Sequence, residues 1–153
     1  MISLTAEYAL RAVVFLSSAG EEKTSYTVGE IADQVKVPAG YLAKVLQSLS
    51  RAKLITSQRG IGGGFRLARA ADEITVFQVV EAVDPLPRIH SCPLGLEAHA
   101  QRLCHLHKRL DDAMAHVEAE FKATVISELV EEAAVGELPL FGQKAAIETC
   151  PKR

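Results

Sequence analysis

From Thr5 to Ala19 the chain is apolar on most faces of a helix, with Leu10, Val13, Val14, Phe15 and Leu16 joining Tyr8 and Ala12. That pattern predicts a largely buried first helix. After a polar break from Gly20 to Ser25, Thr27-Val28-Gly29-Glu30 has the spacing of a capping box, in which the Thr27 side chain accepts from the Glu30 backbone. The short helix that starts there puts Ile31, Ala32 and Val35 on one face and stops near Val37-Pro38. A third helix is predicted from about Ala39 to Lys53, its apolar face made by Leu42, Val45, Leu46 and Leu49. Two helices separated by so few residues have the proportions of a helix-turn-helix.

The period then changes. Leu54-Ile55-Thr56-Ser57 and Phe65-Arg66-Leu67 read as short strands on either side of Gln58-Arg59-Gly60-Ile61-Gly62-Gly63-Gly64, which is a hairpin, or wing. A fourth helix is expected over Ile74 to Val83, ending before Asp84-Pro85-Leu86-Pro87, and a loop over Arg88 to Arg102. Leu103, Leu106, Leu110, Met114, Val117, Phe121, Val125 and Leu129 recur every three or four residues, which predicts one long helix from about Leu103 to Ala134 with a single apolar stripe. Such a helix would be roughly 45 Å long, more than a small winged domain covers, so the stripe is expected to pair with a second copy. The expected layout is a winged helix-turn-helix DNA-binding domain over 1–84, a sensor loop over 85–102, a dimerisation helix over 103–134 and a flexible tail over 135–153. The fold class is mostly α, with a small β-hairpin wing and a long C-terminal dimerisation helix.

Composition supports a helical core: hydrophobic residues make up 48% of the chain, aromatics only 5%, and there is no Trp. The formal net charge of -2 argues against a nucleic-acid partner until its distribution is considered. Lys36, Lys44, Arg51, Lys53, Arg59, Arg66 and Arg69 form a window without one acidic residue, whereas the rest of the chain is strongly acidic. Tyr41, Lys44, Gln47 and Ser48 lie on the helix face opposite its leucines, where Gln can read adenine and Lys can meet guanine or phosphate. The glycines of the wing, Gly60, Gly62 and Gly63, allow close approach to phosphates or the minor groove, and Arg59 and Arg66 flank them with positive charge. Double-stranded DNA is the expected partner, read as two half-sites of a palindromic operator by a homodimer.

The chemistry-bearing residues cluster later. Cys92, His99, Cys104, His105 and His107 stand close in sequence, and Cys104 and His107, three apart on a helix, share a face. Thiolate and imidazole suit zinc or an iron-sulfur cluster; the plainer alternative is half-buried thiols and solvated histidines. Cys150 lies in the tail and is expected to be a bystander. No nucleophile, base and oxyanion constellation appears, and Gly62-Gly63-Gly64 lacks the Lys and Ser/Thr of a phosphate-binding loop, so no enzyme activity is expected. The N-terminus has no secretory pattern and no apolar run approaches a membrane span, which points to a cytoplasmic protein.

Leu4-Thr5 with Tyr8-Ala9-Leu10-Arg11-Ala12, then Ile31-Ala32, Tyr41-Leu42, Val45-Leu46 and Arg59-Gly60-Ile61-Gly62-Gly63-Gly64-Phe65-Arg66-Leu67 closely resemble the Rrf2 family of winged-helix regulators, with its IscR- and NsrR-type branches. The resemblance runs from about Ile2 to Ala134. It implies a homodimer tied by crossed long helices and a [2Fe-2S] or [4Fe-4S] cluster held by three loop cysteines and one further ligand. Cys92 and Cys104 match the first and third cysteines, Ala98 stands at the middle position, and His99 beside it can substitute. For the last ligand, His107 matches one branch and Glu7, donated by the partner subunit, matches others. With two thiolates, [2Fe-2S] is favoured over [4Fe-4S], and the expected function is a repressor sensing redox state, nitric oxide or iron. Two alternatives are a cluster-free regulator switched by Cys92 and Cys104 thiol chemistry, and a protein-binding module for which DNA is secondary.

Overall fold

The computed structural model describes residues 2–19, 25–95 and 102–135, with side chains as far as residue 131. The expected tail beyond Val135, together with Ala98, His99 and Cys150, lies outside the described residues. Helix α1 (Leu4–Ser18) begins at Ser3, whose hydroxyl accepts from the Ala6 N–H at 3.2 Å. Ala6, Ala9, Ala12 and Val13 are fully buried on it, and the three small side chains let other helices approach closely. Helix α2 (Val28–Val35) carries both halves of the capping box: the Glu30 N–H donates to Thr27 Oγ1 at 3.3 Å and the Thr27 N–H to Glu30 Oε2 at 2.8 Å. It ends at Lys36 in the left-handed conformation (φ 57°), and buried Val37 ties the turn to the core. Helix α3 (Ala39–Arg51) then buries Leu42, Val45, Leu46 and Leu49, the expected face.

Strands β1 (Ile55–Gln58) and β2 (Gly64–Leu67) pair antiparallel, with Ile55 opposite Leu67 and Gln58 opposite Gly64. The wing is anchored by Ser25, at the end of the polar break, and by Tyr26 just after it. Tyr26 bridges Phe65 on the free edge of β2 through two backbone bonds of 3.0 and 2.7 Å, and the buried Ser25 hydroxyl donates to the Gly62 carbonyl at 2.7 Å.

Two expected helices change in extent. A single 3-10 turn (Ala71–Glu73) leads to α4 (Val76–Glu81), shorter at both ends than the predicted span from Ile74 to Val83. Ile74 is extended and fully buried, while Thr75 and Gln78 form a second capping box. The predicted continuous helix from Leu103 to Ala134 is instead two helices, α5 (His105–Ala123) and α6 (Ile126–Val135). Thr124, Val125 and Ile126 are successive β-branched residues, which lose rotamer freedom in a helix. The chain there extends and pairs with the segment before α4: the Val76 N–H donates to the Thr124 carbonyl at 3.0 Å and the Ile126 N–H to the Ile74 carbonyl at 2.9 Å. The apolar stripe divides accordingly. Ile126 is fully buried in the core, with Phe121, Leu129 and Val130 packed against it, whereas Leu106 and Leu110 on α5 remain 65% and 49% exposed.

Candidate nucleic-acid interface and cysteine site

Burial of the α3 leucines turns the opposite face of that helix outward, so Tyr41, Lys44 and Gln47 are exposed and Ser48 is half-buried. Thr5, Tyr41, Lys44, Val45, Ser48 and Val83 line one small cleft, which brings three of the expected contact residues together beside the start of α1. Tyr41 is held in place there: its hydroxyl hydrogen-bonds the Thr5 hydroxyl, and its ring meets Tyr8 edge-on at 5.7 Å between centroids. Thr5 and Tyr8 belong to the first helix and to the family-like opening segment, and nothing in their spacing announces that they orient a residue of α3.

All seven cations of the acid-free window are exposed. Among the described residues, no carboxylate pairs with any of them. Arg66 is steadied by a bond from Nε to Thr56 Oγ1 at 3.3 Å, and Arg59 stands at the foot of the wing turn. A Cβ on Gly63 would lie 2.4 Å from the Gln58 carbonyl oxygen, and Gly60 and Gly62 have φ of 100° and 76°. The glycines therefore build the turn itself, besides clearing its surface.

Cys104 is the residue just before α5, and its Sγ lies 3.3 Å from His107 Nδ1, as the three-residue spacing predicts. Cys92 opens a turn in which the Gly95 N–H donates to its carbonyl at 3.0 Å. Both cysteines are half-buried thiols. Glu7 is paired with Arg11 on its own helix. Among the described residues, no three His, Cys, Asp or Glu side chains converge to hold a metal. One chain thus brings together Cys104 and His107, but not these with Cys92 or Glu7.

The segment leading to Cys92 is fastened to α5. Arg88 grips Asp111 in a two-pronged contact, Nε to Oδ1 at 2.7 Å and Nη2 to Oδ2 at 2.9 Å, and reaches Glu118 Oε2 at 2.8 Å. The Ile89 N–H adds a bond to Asp111 at 2.9 Å, and Lys122 pairs with Glu118 from the next turn. Hydrogen bonds from Arg88, then from the Ile89 backbone, hold the Asp111 carboxyl far below its usual range. Lys122, then Arg88, lower that of Glu118. A carboxylate whose folded-state pKa is depressed contributes stability above its unfolded value, and that contribution is lost as the pH falls. Asp111→Asn should therefore be less stable than the wild type at neutral pH, and the gap should begin to narrow below about pH 4 and keep narrowing as the pH falls towards the depressed folded-state value, in urea titrations repeated across pH.

Nothing about Arg88 or Asp111 was visible in sequence, since they lie in a loop and a helix twenty-three residues apart.

No described helix is long and apolar enough to cross a membrane. Residues 2–132 match the family model Rrf2, described as an iron-dependent transcriptional regulator. A protein of Aquifex aeolicus named as an HTH-type transcriptional regulator is 30% identical over 133 residues, covering 85% of this chain and 91% of that one. Among solved structures, IscR of T. potens superposes with a TM-score of 0.73 at 17% identity, covering 90% of this chain and 91% of its own. Staphylococcus aureus CymR in an oxidized form superposes with a TM-score of 0.66 at 23% identity, covering 86% and 96%. These two likenesses concern the winged-helix fold. With the family model spanning all but the last residues of the described chain, the protein belongs to the Rrf2 family of DNA-binding transcriptional regulators and is not an enzyme.

Proposed function

We propose that this regulator acts in the cytoplasm as a homodimeric repressor on a palindromic operator, with its affinity set by an iron-sulfur cluster bound at the start of α5. The observation that carries the reading is the meeting of Cys104 and His107, a soft thiol and an imidazole 3.3 Å apart at a helix start. Their chemistry fits the ligands such a cluster takes, and the family description is iron-dependent. Cys92 and Cys104 would hold the group, with His99 in place of the cysteine that Ala98 replaces and either His107 or Glu7 of the partner subunit as the last ligand. The two thiolates favour a [2Fe-2S] centre. When bound, the cluster supplies a centre sensitive to oxidants, nitric oxide and iron supply.

The chain's own residues connect that position to DNA. Arg88 and Ile89 anchor the Cys92 segment on α5 at Asp111, and Leu106, Leu110 and Val117 leave an exposed apolar stripe on α5 for a second copy. A change at Cys92 or Cys104 is thus delivered to the helix that sets the spacing of the two α3 helices, a shift of population between two dimer geometries.

The second reading, a thiol switch through Cys92 and Cys104, is favoured by the absence of a middle cysteine and by the existence of an oxidized form of CymR among the structural relatives. Anaerobic purification, with visible absorbance and with iron and sulfide analysis, separates the two. The cluster reading predicts coloured protein whose iron is lost in Cys104→Ala and whose duplex affinity changes on exposure to air. Colourless, iron-free protein with DNA binding indifferent to Cys92→Ala contradicts it, and a Cys92–Cys104 disulfide found by mass analysis after mild oxidation supports the second reading.

A further inference from the structure

Ile61 stands at the tip of the wing with its whole side chain in solvent, 109% exposed relative to an extended reference. Among the described residues, the other large exposed aliphatic side chains belong to helices or, in Leu94, to the Cys92 turn; this one projects from the end of a hairpin, away from the core. Its backbone is closed into a tight turn by the Gly63 N–H donating to the Gly60 carbonyl at 2.9 Å. Gly62, with φ of 76°, occupies the turn position that needs a positive φ. Glycine on either side leaves Ile61 no neighbouring side chain to cover it.

The tip is also held from below. The Ser25 hydroxyl donates to the Gly62 carbonyl, Tyr26 pairs with β2, and Gly63 lies so close to the Gln58 carbonyl that a Cβ there would be 2.4 Å from its oxygen. A β-branched side chain on a fixed turn has little freedom to lose on binding. Beside it stands the exposed cation of Arg59, which pairs with no carboxylate among the described residues. An aliphatic point with an adjacent positive charge matches the minor groove of duplex DNA, whose rims are phosphates and whose walls are apolar sugars, and into which apolar wedges are inserted between base steps.

We propose that Ile61 enters the minor groove next to the major-groove segment met by α3 and loosens the base step it touches, so that the wing selects flexible pyrimidine–purine steps. This rests on the DNA-binding assignment and adds to it a residue that reads deformability, while Arg59 supplies charge. It is tested with duplexes selected from a randomised pool by the wild-type protein, carrying 2-aminopurine at successive positions under the wing. Binding of wild-type protein should raise the fluorescence at one step. Ile61→Ser should retain the wild-type melting temperature and salt dependence, yet lose about tenfold in affinity, the fluorescence rise and the preference for flexible steps. Arg59→Gln should do the converse, keeping the fluorescence rise while the salt slope falls by about one. Ile61→Ser binding within twofold of wild type with the same fluorescence overturns the proposal while leaving DNA binding intact. So does an Ile61→Ser protein whose oligomeric state changes without DNA, because Ile61 would then be a contact between copies. Absence of salt-dependent duplex binding by the wild type would instead count against the DNA-binding assignment.

Discussion

Ile126→Ala should destabilise the protein by about 2–5 kcal/mol, the cost of removing a large aliphatic side chain from a fully buried site. Ile126 has no solvent exposure, begins α6 and donates its N–H to the Ile74 carbonyl. It is thus the point at which the C-terminal segment re-enters the N-terminal core. Leu110→Ala removes as much hydrocarbon from the same sequence stripe, but from a residue 49% exposed on α5. It should cost under about 1 kcal/mol in the isolated chain, its main effect appearing in self-association. Denaturant unfolding at fixed protein concentration, with sedimentation for Leu110→Ala, checks both. Equal losses from the two variants would mean that α5 packs on its own domain as tightly as α6 does.

A second large effect is expected from a single methyl group. An ideal Cβ on Gly64 would lie 2.6 Å from the carbonyl carbon and oxygen of Tyr26 and 2.9 Å from its nitrogen, and Gly64 has φ of 156°. No flexible side chain can give way, because the obstacle is the backbone that pairs Tyr26 with Phe65 through two hydrogen bonds. Gly64→Ala should therefore detach the wing from its anchor, lowering stability by about 2–3 kcal/mol and reducing duplex affinity along with it. Gly29→Ala is the control: its Cβ would approach only Thr27 Oγ1, at 4.0 Å, in a helix where Ala is preferred, and it should be neutral or stabilising by up to about 1 kcal/mol. Unfolding midpoints and hydrogen exchange at Tyr26 and Phe65 report on it. Unchanged protection of those two amides in Gly64→Ala would contradict this account of the wing.

The elements that sequence reveals are those specified locally. Thr27 and Glu30 name the start of α2, the leucines of α3 its buried face, and the glycine run its hairpin, because each depends on neighbours within a few residues. The break at Thr124 is of another kind. Heptad-like spacing of Val125 and Leu129 continues straight through it; the β-branched run weakens the helix there, but it is pairing with Ile74 and Val76, some fifty residues earlier, that makes the extended conformation worthwhile. Ser25 and Tyr26 were equally hidden, since their role depends on β2.

The functional regions divide in the same way. The acid-free window of cations and the polar face of α3 are patterns of composition, and folding has only to turn them outward, which burial of Leu42, Val45, Leu46 and Leu49 does. The cysteine site depends on distance as well as residue type. The spacing of Cys104 and His107 sufficed because both belong to one helical turn, whereas joining Cys92, His99 or Glu7 to them depends on loop path and on a second subunit. The Arg88 contacts with Asp111 and Glu118 were illegible because charged residues in loops and on exposed helices give no periodic signal.

The most direct test of the central claim, that DNA is bound through the outward face of α3 and the wing, is the salt dependence of duplex binding by the wild type and by a Lys44→Gln, Arg59→Gln double variant. Each phosphate contact contributes close to one unit to the slope of log affinity against log salt. The account predicts a steep negative slope for the wild type that becomes shallower by about two in the double variant, with affinity lower at every salt concentration. A slope that the double substitution leaves unchanged would contradict it.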